Sequence, residues 1–447
     1  MAKLKQVKLF EDSVLNETQR VALNYAFKQK HLLNLSLKVG NHRVTNDFSV
    51  VTKDTSPFSA FWKEFLKGQL IFPNAISTKP LKVADLFCAS GGLSLGVKSA
   101  ASFLRVPLQF SLGVDLDDRA LDIYKYHHVG SQTFAGNIDQ LIDFQIKGHG
   151  EAAEFSYPPE LSQIGKLFQD KYDVVLAGPP CQGHSSMNVR TRYDDPRNKL
   201  YLSAVAFAVA VEAKAIIIEN VPGVTKDVDG VVFAAKSLLK KSGYFISTEV
   251  LSASKFGWPQ TRKRYFLIAT KLPFQINLSE IKNAALRKPL DLAWAIGDIQ
   301  NIDRSDVLFE TPSLSRENLE RVRYLQESNE IDLPLHLRPK SHQNGTTFYT
   351  VYGRLEWDKP SGTITTGFLS PGRGRFTHPT SPRALLPAEA ARLQGFPDNY
   401  FPINNLVPRI RRTELAKWIG DAVPTILGFY AGIVGLFQFM ESDAKKK

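Results

Sequence analysis

The strongest constraint on the fold is an alternation of short apolar runs and amphipathic segments that begins at residue 81. Six runs have the length and composition of strands: "LKVADLF", "LQFSLGVDL", "YDVVLAG", "AKAIIIENV", "YFISTEVLS" and "RYFLIAT". Helical patterns such as "SGGLSLGVKSAA" and "DDRALDIYKYHH" lie between them. Strands that alternate with helices indicate a parallel, doubly wound sheet. The sequence therefore predicts an α/β fold.

The regions that flank this pattern predict the domain organisation. Residues 1–80 look like a separate N-terminal extension, with an amphipathic helix in "NETQRVALNYAFKQKHLL" and a hairpin in "LSLKVGNHRVTNDFSVV". Prolines and irregular polar segments dominate 276–385, and helical patterns return in "PAEAARLQGF" and "GDAVPTILGFYAGIVGLFQFM". We expect a catalytic domain over 81–275 that 386–447 completes, and a smaller irregular domain over 276–385.

Composition limits the class of protein. The net charge of +12 over 447 residues favours a polyanionic partner, with a basic cytosolic protein lacking such a partner as the alternative. Two cysteines and no C-x-x-C pair argue against a disulfide scaffold or a zinc cluster and indicate a reducing compartment. The sequence contains no secretory signal and no apolar run near the ~20 residues of a membrane helix. We therefore expect a cytoplasmic protein with no metal.

The end of the first predicted strand, "DLFCASGGLSLG", has the features of a ligand-binding turn. Asp85 ends the strand, and Ser90, Gly91 and Gly92 open the next helix, where glycines let the backbone approach a ligand. Asp115 ends the second strand at a spacing that suits an acid binding ribose hydroxyls. The pyrophosphate fingerprint G-x-G-x-x-G is absent, so S-adenosylmethionine fits better than NAD.

Cys181 follows two prolines in "GPPCQG", and the prolines hold this loop in one shape. Its thiol is either a nucleophile, which requires an electropositive, partly exposed setting, or a small buried apolar group. In "IIIENVPG", Glu219 ends an apolar strand, where a carboxylate is costly for structure alone. In "QTRKR", Arg262 and Arg264 alternate outward from a strand, either as functional groups or as a solvated charge run.

The blocks "DLFCASGG", "GPPCQG", "ENV", "QTRKR", "RLQGFPDNY" and "GDAVP", in this order, strongly resemble the DNA cytosine-5 methyltransferases. The resemblance spans most of 83–430 and implies a Rossmann-like class I methyltransferase sheet. It implies that Cys181 is the nucleophile that attacks carbon 6 of cytosine, and that Glu219 holds and protonates N3. Arg264 would bind the ring oxygen, and Arg262 would help to position the catalytic loop. The target base must leave the duplex stack to be reached.

The resemblance also implies an S-adenosylmethionine site, and the residues that would form it lie at strand ends and near the C-terminus. They are Phe87, Ser90, Gly91, Gly92, Asp115, Leu116, Asn137, Ile138, Pro180, Leu200, Asp421 and Ala422. The sequence departs from the family pattern at Asn137, where an aspartate is usual, and at Asp421, where an asparagine is usual. Ala89 and His184 also replace the usual glycine and phenylalanine.

The family's variable target-recognition region corresponds to 276–385, where basic residues alternate with Tyr and Phe in a way that suits DNA contacts. These features predict a microbial enzyme that acts as a monomer on double-stranded DNA and protects host DNA in restriction–modification or phage defence. Two alternatives remain: an RNA (tRNA) cytosine-5 methyltransferase on the same scaffold, and a catalytically silent DNA-binding homologue.

Overall fold

The computed structural model describes residues 20–51, 54, 56–75, 79–180, 199–227, 230–302, 304–343, 350–403 and 409–440. The strands are, in chain order, β1 (Val21–Gln29), β2 (Leu32–Val39), β3 (His42–Ser49), β4 (Leu81–Leu86), β5 (Leu108–Asp115), β6 (Gln132–Ala135), β7 (Ile142–Asp143), β8 (Ile146–Lys147), β9 (Glu154–Phe155), β10 (Glu160–Leu161), β11 (Val174–Ala177), β12 (Ala215–Asn220), β13 (Phe245–Ser252) and β14 (Lys263–Thr270).

The α-helices alternate with these strands in the middle of the chain and continue after the last of them. They are α1 (Pro57–Leu66), α2 (Gly92–Leu104), α3 (Asp118–His127), α4 (Leu200–Ala210), α5 (Val231–Lys241), α6 (Leu278–Ala284), α7 (Leu292–Ile296), α8 (Arg316–Glu327), α9 (Lys340–Gln343), α10 (Pro387–Gln394), α11 (Arg412–Asp421) and α12 (Thr425–Leu436).

A seven-stranded sheet forms the centre of the molecule, in the order β13-β14-β12-β11-β4-β5-β6. Neighbouring strands from β12 to β6 are parallel, which confirms the predicted α/β fold. The expectation of an all-parallel sheet is wrong at one edge, because β14 is antiparallel to both β12 and β13. The reason is the connection: residues 253–262 contain no α-helix that could carry the chain back across the sheet, so β14 returns beside β13.

Helices cover both faces of this sheet. On one face α4 and α5 pack over β11 and β12, and on the other α2 lies against α12. The two backbones of the second pair approach closely, because a Cβ atom added at Gly96 would lie 2.7 Å from the Cα atom of Gly428. Every residue of α12 is buried, which explains a helix that is apolar on all sides.

The bounds of α12 correct the predicted C-terminal helix, because "GDAVPTILGFYAGIVGLFQFM" is divided between two helices. Gly420 and Asp421 end α11, and α12 starts after Pro424. Proline has no backbone N–H, so a helix that continued through Pro424 would lose one of its hydrogen bonds. In the described ranges no single helix has the length and apolarity of a membrane span. The bent pair of α11 and the segment Thr425–Phe439, with an angle of 43°, passes that test of length and composition.

The helix predicted in "NETQRVALNYAFKQKHLL" is wrong for its described part, which forms β1 and the start of β2. The side chains of Val21, Leu23 and Tyr25 are buried while their neighbours are not, and this period of two is that of a strand. The predicted hairpin is confirmed as β2 and β3, so the region is a three-stranded antiparallel sheet. The first four residues of the predicted helix, 16–19, lie outside the described residues.

The described part of this N-terminal extension shares a hydrophobic core with α2 and α12. Trp62 of α1 is fully buried, and its ring makes edge contacts with Phe429 of α12 at 5.4 Å and with Trp258 at 5.5 Å between centroids. Aromatic pairs at these separations are stabilising. The extension therefore packs onto the same core as the central sheet.

The region 276–385 is irregular where it is described, with the helices α6 to α9 and isolated β-bridges but no strand. A third core cluster joins part of it to α3, α10 and α11, through residues such as Ile364, Phe368 and Trp418. This packing places the region 276–385 beside α3, the helix that follows β5.

Candidate active site

The turn between β4 and α2 has an unusual backbone. Phe87, Ala89 and Gly91 all have positive φ values, of 58°, 44° and 89°. Left-handed conformations at non-glycine residues cost free energy and persist only where surrounding contacts hold them. Asp85 ties the end of β4 to the first turn of α2, because its buried carboxylate accepts a hydrogen bond from Ser94 Oγ. Burial raises the pKa of Asp85 to about 7, and the Ser94 bond opposes that rise.

Asp115 holds this turn from the end of β5. One carboxylate oxygen accepts from the Ala89 N–H at 2.8 Å, and the other accepts from the Asp117 N–H at 2.9 Å. Burial raises the pKa of Asp115, and these two backbone hydrogen bonds act against that rise. The adjacent Leu116 is 75% exposed, an apolar side chain at the strand end that no protein group covers in the described structure. The sequence-predicted acid and turn are thus in direct contact.

The other predicted cofactor residues vary in what they can offer a ligand. Asn137 accepts a hydrogen bond from the Asp139 N–H at 3.1 Å through its side-chain oxygen. The side chain of Ile138 is 1% exposed and belongs to the core, so only its main chain can face a ligand. Pro180 and Leu200 are partly buried at the two ends of the segment 181–198. The predicted nucleophile Cys181 lies in that segment, outside the described residues.

The end of α11 borders the same turn. A Cβ atom added to Gly92 would lie 2.8 Å from the Cβ atom of Ala422, so these two residues are in close contact. Asp421 is the last residue of α11 and is exposed. The structure therefore brings together residues that are more than 300 positions apart.

Glu219 and Arg264 form a buried ion pair next to the proline loop. Glu219 is the penultimate residue of β12 and Arg264 lies on the neighbouring β14, and Arg264 Nε and Glu219 Oε1 are 2.6 Å apart. A Cβ atom added to Gly178 would lie 3.9 Å from Glu219 Oε2, so the carboxylate is adjacent to the residues that lead to Cys181. Burial raises the pKa of Glu219, and the nearby guanidinium groups of Arg264 and Arg262 oppose that rise.

Asn220 and Arg262 lie next to this pair, and both donate hydrogen bonds to backbone carbonyls of other segments. The Asn220 side-chain amide donates to the Pro179 carbonyl at 3.2 Å, which ties the end of β12 to the proline loop. Arg262 is 3% exposed and donates to the carbonyls of Ile364 and Gly420, the latter at 2.9 and 3.0 Å. Through these contacts Arg262 joins the region 276–385 to the last turn of α11. The interpretation of "QTRKR" as arginines directed outward, or as a solvated charge run, is wrong for both arginines.

Two buried residues were missed as parts of the site. Gln260 is fully buried and donates to the Leu393 carbonyl at 2.8 Å, and Tyr400 donates from its hydroxyl to the Ser90 carbonyl at 2.6 Å. Both residues belong to quoted blocks, "QTRKR" and "RLQGFPDNY", and that membership was the only available signal. Within the described ranges no three His, Cys, Asp or Glu side chains converge as metal ligands would.

Solved methyltransferase structures share this fold. A protein described as a prophage-encoded DNA modification methyltransferase of E. coli has a TM-score of 0.54, covering 80% of this chain and 99% of its own at 24% identity. The S. pombe Dnmt2 methyltransferase has a TM-score of 0.53, covering 81% and 99% at 17% identity. At these identities the likeness establishes the class of fold, an α/β methyltransferase.

Sequence comparison identifies the family. The model of the C-5 cytosine-specific DNA methylases matches residues 81–432. The Bacillus subtilis (strain 168) type II methyltransferase M1.BsuMI is 37% identical over 361 residues, 80% of this chain and 81% of the relative. The Haemophilus parahaemolyticus type II methyltransferase M1.HphI is 27% identical over 82% of this chain and 88% of the relative. The chain belongs to the C-5 cytosine-specific DNA methylase family, whose enzymes use S-adenosylmethionine as methyl donor.

Proposed function

We propose that this enzyme methylates carbon 5 of a cytosine that it flips out of a specific duplex DNA sequence, with Cys181 as the nucleophile and Glu219 as the acid. The observation that carries the proposal is the buried Glu219–Arg264 pair beside Gly178, three residues before Cys181. Addition to a cytosine ring requires an acid, a guanidinium and a thiol, and the first two lie beside the residues that precede Cys181 in the sequence.

The chemistry follows from the weak nucleophilicity of carbon 5. Attack of the Cys181 thiolate on carbon 6 makes carbon 5 electron-rich enough to accept a methyl group. Glu219 holds N3 and protonates it as the thiolate adds, and Arg264 binds the ring oxygen. Burial supports this role, because it raises the pKa of Glu219 and so favours the protonated form that can donate. Loss of the carbon 5 proton to solvent, departure of the thiolate and return of the N3 proton to the Glu219 carboxylate then restore the neutral aromatic ring.

The residues at the turn suit an adenosyl cofactor. Asp115 has lone pairs left after its two backbone contacts, and the exposed Leu116 beside it offers an apolar surface to a purine ring. We propose that these two residues, the turn at Phe87, Ser90, Gly91 and Gly92, and the segments at Asn137, Ile138, Pro180, Leu200, Asp421 and Ala422 hold S-adenosylmethionine. The bound cofactor supplies an electrophilic methyl group on a sulfonium.

Charge and relatives support the substrate and the role. A net charge of +12 suits binding to the phosphates of DNA, and the region 276–385 would read the target. We propose that the protein acts as a cytoplasmic monomer on DNA. Relatives named type II methyltransferases favour host DNA protection in restriction–modification or phage defence.

Methyl transfer to DNA and to tRNA tests the proposal. The purified protein is incubated with methyl-labelled S-adenosylmethionine and either substrate, and bisulfite sequencing locates 5-methylcytosine in the DNA of an expressing host. We expect label in duplex DNA at one short sequence, and strong loss in Glu219→Gln. Glu249→Gln is the matched control, since Glu249 lies on β13 outside the site and is paired with Lys282 of α6. Label in tRNA alone would support the RNA alternative, and no label in either substrate would support a silent homologue.

A further inference from the structure

Tyr400 connects the loop after α10 to the cofactor turn. Its side chain is buried, and its hydroxyl donates a 2.6 Å hydrogen bond to the Ser90 carbonyl. The N–H of Gly91, which belongs to the same peptide unit as that carbonyl, donates to the Cys88 carbonyl at 2.8 Å. The Ser90–Gly91 peptide plane is therefore fixed from both sides.

The tyrosine hydroxyl also explains why residue 91 is glycine. Gly91 has a φ of 89°, and a Cβ atom added there would lie 2.8 Å from the Tyr400 hydroxyl oxygen. The hydroxyl thus occupies the space that a side chain at position 91 would need. Backbone conformation and packing both require the absence of a side chain.

Tyr400 is itself held rigidly. The imidazole of His127 stacks on its ring with centroids 3.8 Å apart and planes inclined by 16°. His127 Nε2 donates to the Tyr400 carbonyl at 2.7 Å. Burial lowers the pKa of His127 to about 4, so the ring is neutral at neutral pH. The neighbouring Asp398 N–H donates to the Leu66 carbonyl of α1 at 2.8 Å, which anchors the same loop.

We infer that Tyr400 is a positioning residue for the cofactor: it acts through Ser90 and Gly91 by holding the turn in its binding conformation. The inference rests on the proposed cofactor site. Without the hydroxyl, the Ser90 carbonyl loses its partner and the left-handed turn loses one of the contacts that hold it. The free-energy cost of ordering the turn must then be met when the cofactor binds, which weakens its affinity.

Tyr400→Phe tests this role, since it removes only the hydroxyl. We expect the Kd for S-adenosylmethionine, measured by calorimetry without DNA, to rise about three- to tenfold, the effect of one lost buried hydrogen bond. The KM for the cofactor should rise by the same factor, whereas kcat at saturating cofactor and the KM for DNA should not change. Loss of a purely structural residue would not raise the KM for the cofactor while leaving kcat and the KM for DNA unchanged.

Tyr244→Phe is the matched control. Tyr244 is also buried, and its hydroxyl donates to the Ala213 carbonyl at 2.7 Å at the opposite edge of the sheet. Both variants should lose similar thermal stability, but Tyr244→Phe should keep the wild-type Kd. Wild-type cofactor affinity in Tyr400→Phe, or an equal loss in Tyr244→Phe, would overturn the inference. A wild-type protein that does not bind S-adenosylmethionine would instead overturn the proposed cofactor site, and this role with it.

Discussion

Replacing Trp62 with alanine should destabilise the whole protein, although Trp62 lies in the N-terminal extension. Its fully buried ring contacts Phe61 and Phe65 of α1, at 5.3 Å each. It also contacts Trp258 and Phe429, which lie outside the extension in the core that includes the central sheet. A buried tryptophan removes about 200 Å² from water, which at about 25 cal/mol/Å² gives about 5 kcal/mol as an upper estimate. Truncations of this kind cost about 3–5 kcal/mol.

Urea unfolding followed by circular dichroism measures this loss, and calorimetry of S-adenosylmethionine binding shows which part of the molecule it affects. We expect the main unfolding transition of Trp62→Ala to shift to a lower urea concentration, with the extension and the central sheet unfolding together in that transition. Ile71→Ala is the control, because Ile71 is 85% exposed, and its change should stay within about 0.5 kcal/mol. A separate early transition, with the main transition and cofactor binding unchanged, would refute the shared core.

Three further predictions concern the site and the substrate. Burial raises the pKa of Glu219, and its protonated fraction falls as pH rises through that pKa. The methylation rate should therefore fall on the alkaline side, and a Glu219→Gln profile with the same alkaline fall would contradict this. Asp421→Asn should reduce the preference for S-adenosylmethionine over its neutral thioether product by about two- to fivefold. The two ligands share the same amino-acid end and differ in the sulfonium charge, which the Asp421 carboxylate would attract. Equal Kd ratios in variant and wild type would argue against a carboxylate near the sulfur. DNA affinity should fall with salt, with a slope in log K of about −0.9 for each phosphate neutralised, and a slope near zero would show that the basic surplus serves another partner.

The sequence predicted most of the central sheet because each buried strand is a short apolar run bounded by turn residues. It failed for β1, where a local reading of "NETQRVALNYAF" as a helix missed the period of two at Val21, Leu23 and Tyr25. It also missed the reversed direction of β14, since strand direction depends on a connection and not on the strand's own residues.

The sequence could propose candidate residues for the site but not the contacts between them. Glu219 could be selected because a carboxylate at the end of an apolar strand is costly, and Asp115 because of its spacing from the glycine turn. Arg264 was selected through the resemblance to the family. The contact between Tyr400 and Ser90 could not, because it joins positions 310 residues apart and no local pattern reports it. The burial of Arg262 is a similar case, since its partners lie on two distant segments.

Covalent trapping tests the central claim most directly. The DNA is the duplex identified by bisulfite sequencing, with 5-fluorocytosine at the methylated position, which permits thiolate addition and methylation but blocks elimination because fluorine cannot leave as a cation. With S-adenosylmethionine, the wild type and Cys88→Ser should form a complex that survives denaturing electrophoresis, since burial raises the pKa of the Cys88 thiol and keeps it unreactive. Cys181→Ser should form none, and a complex that formed equally well with Cys181→Ser would contradict the assignment of the nucleophile.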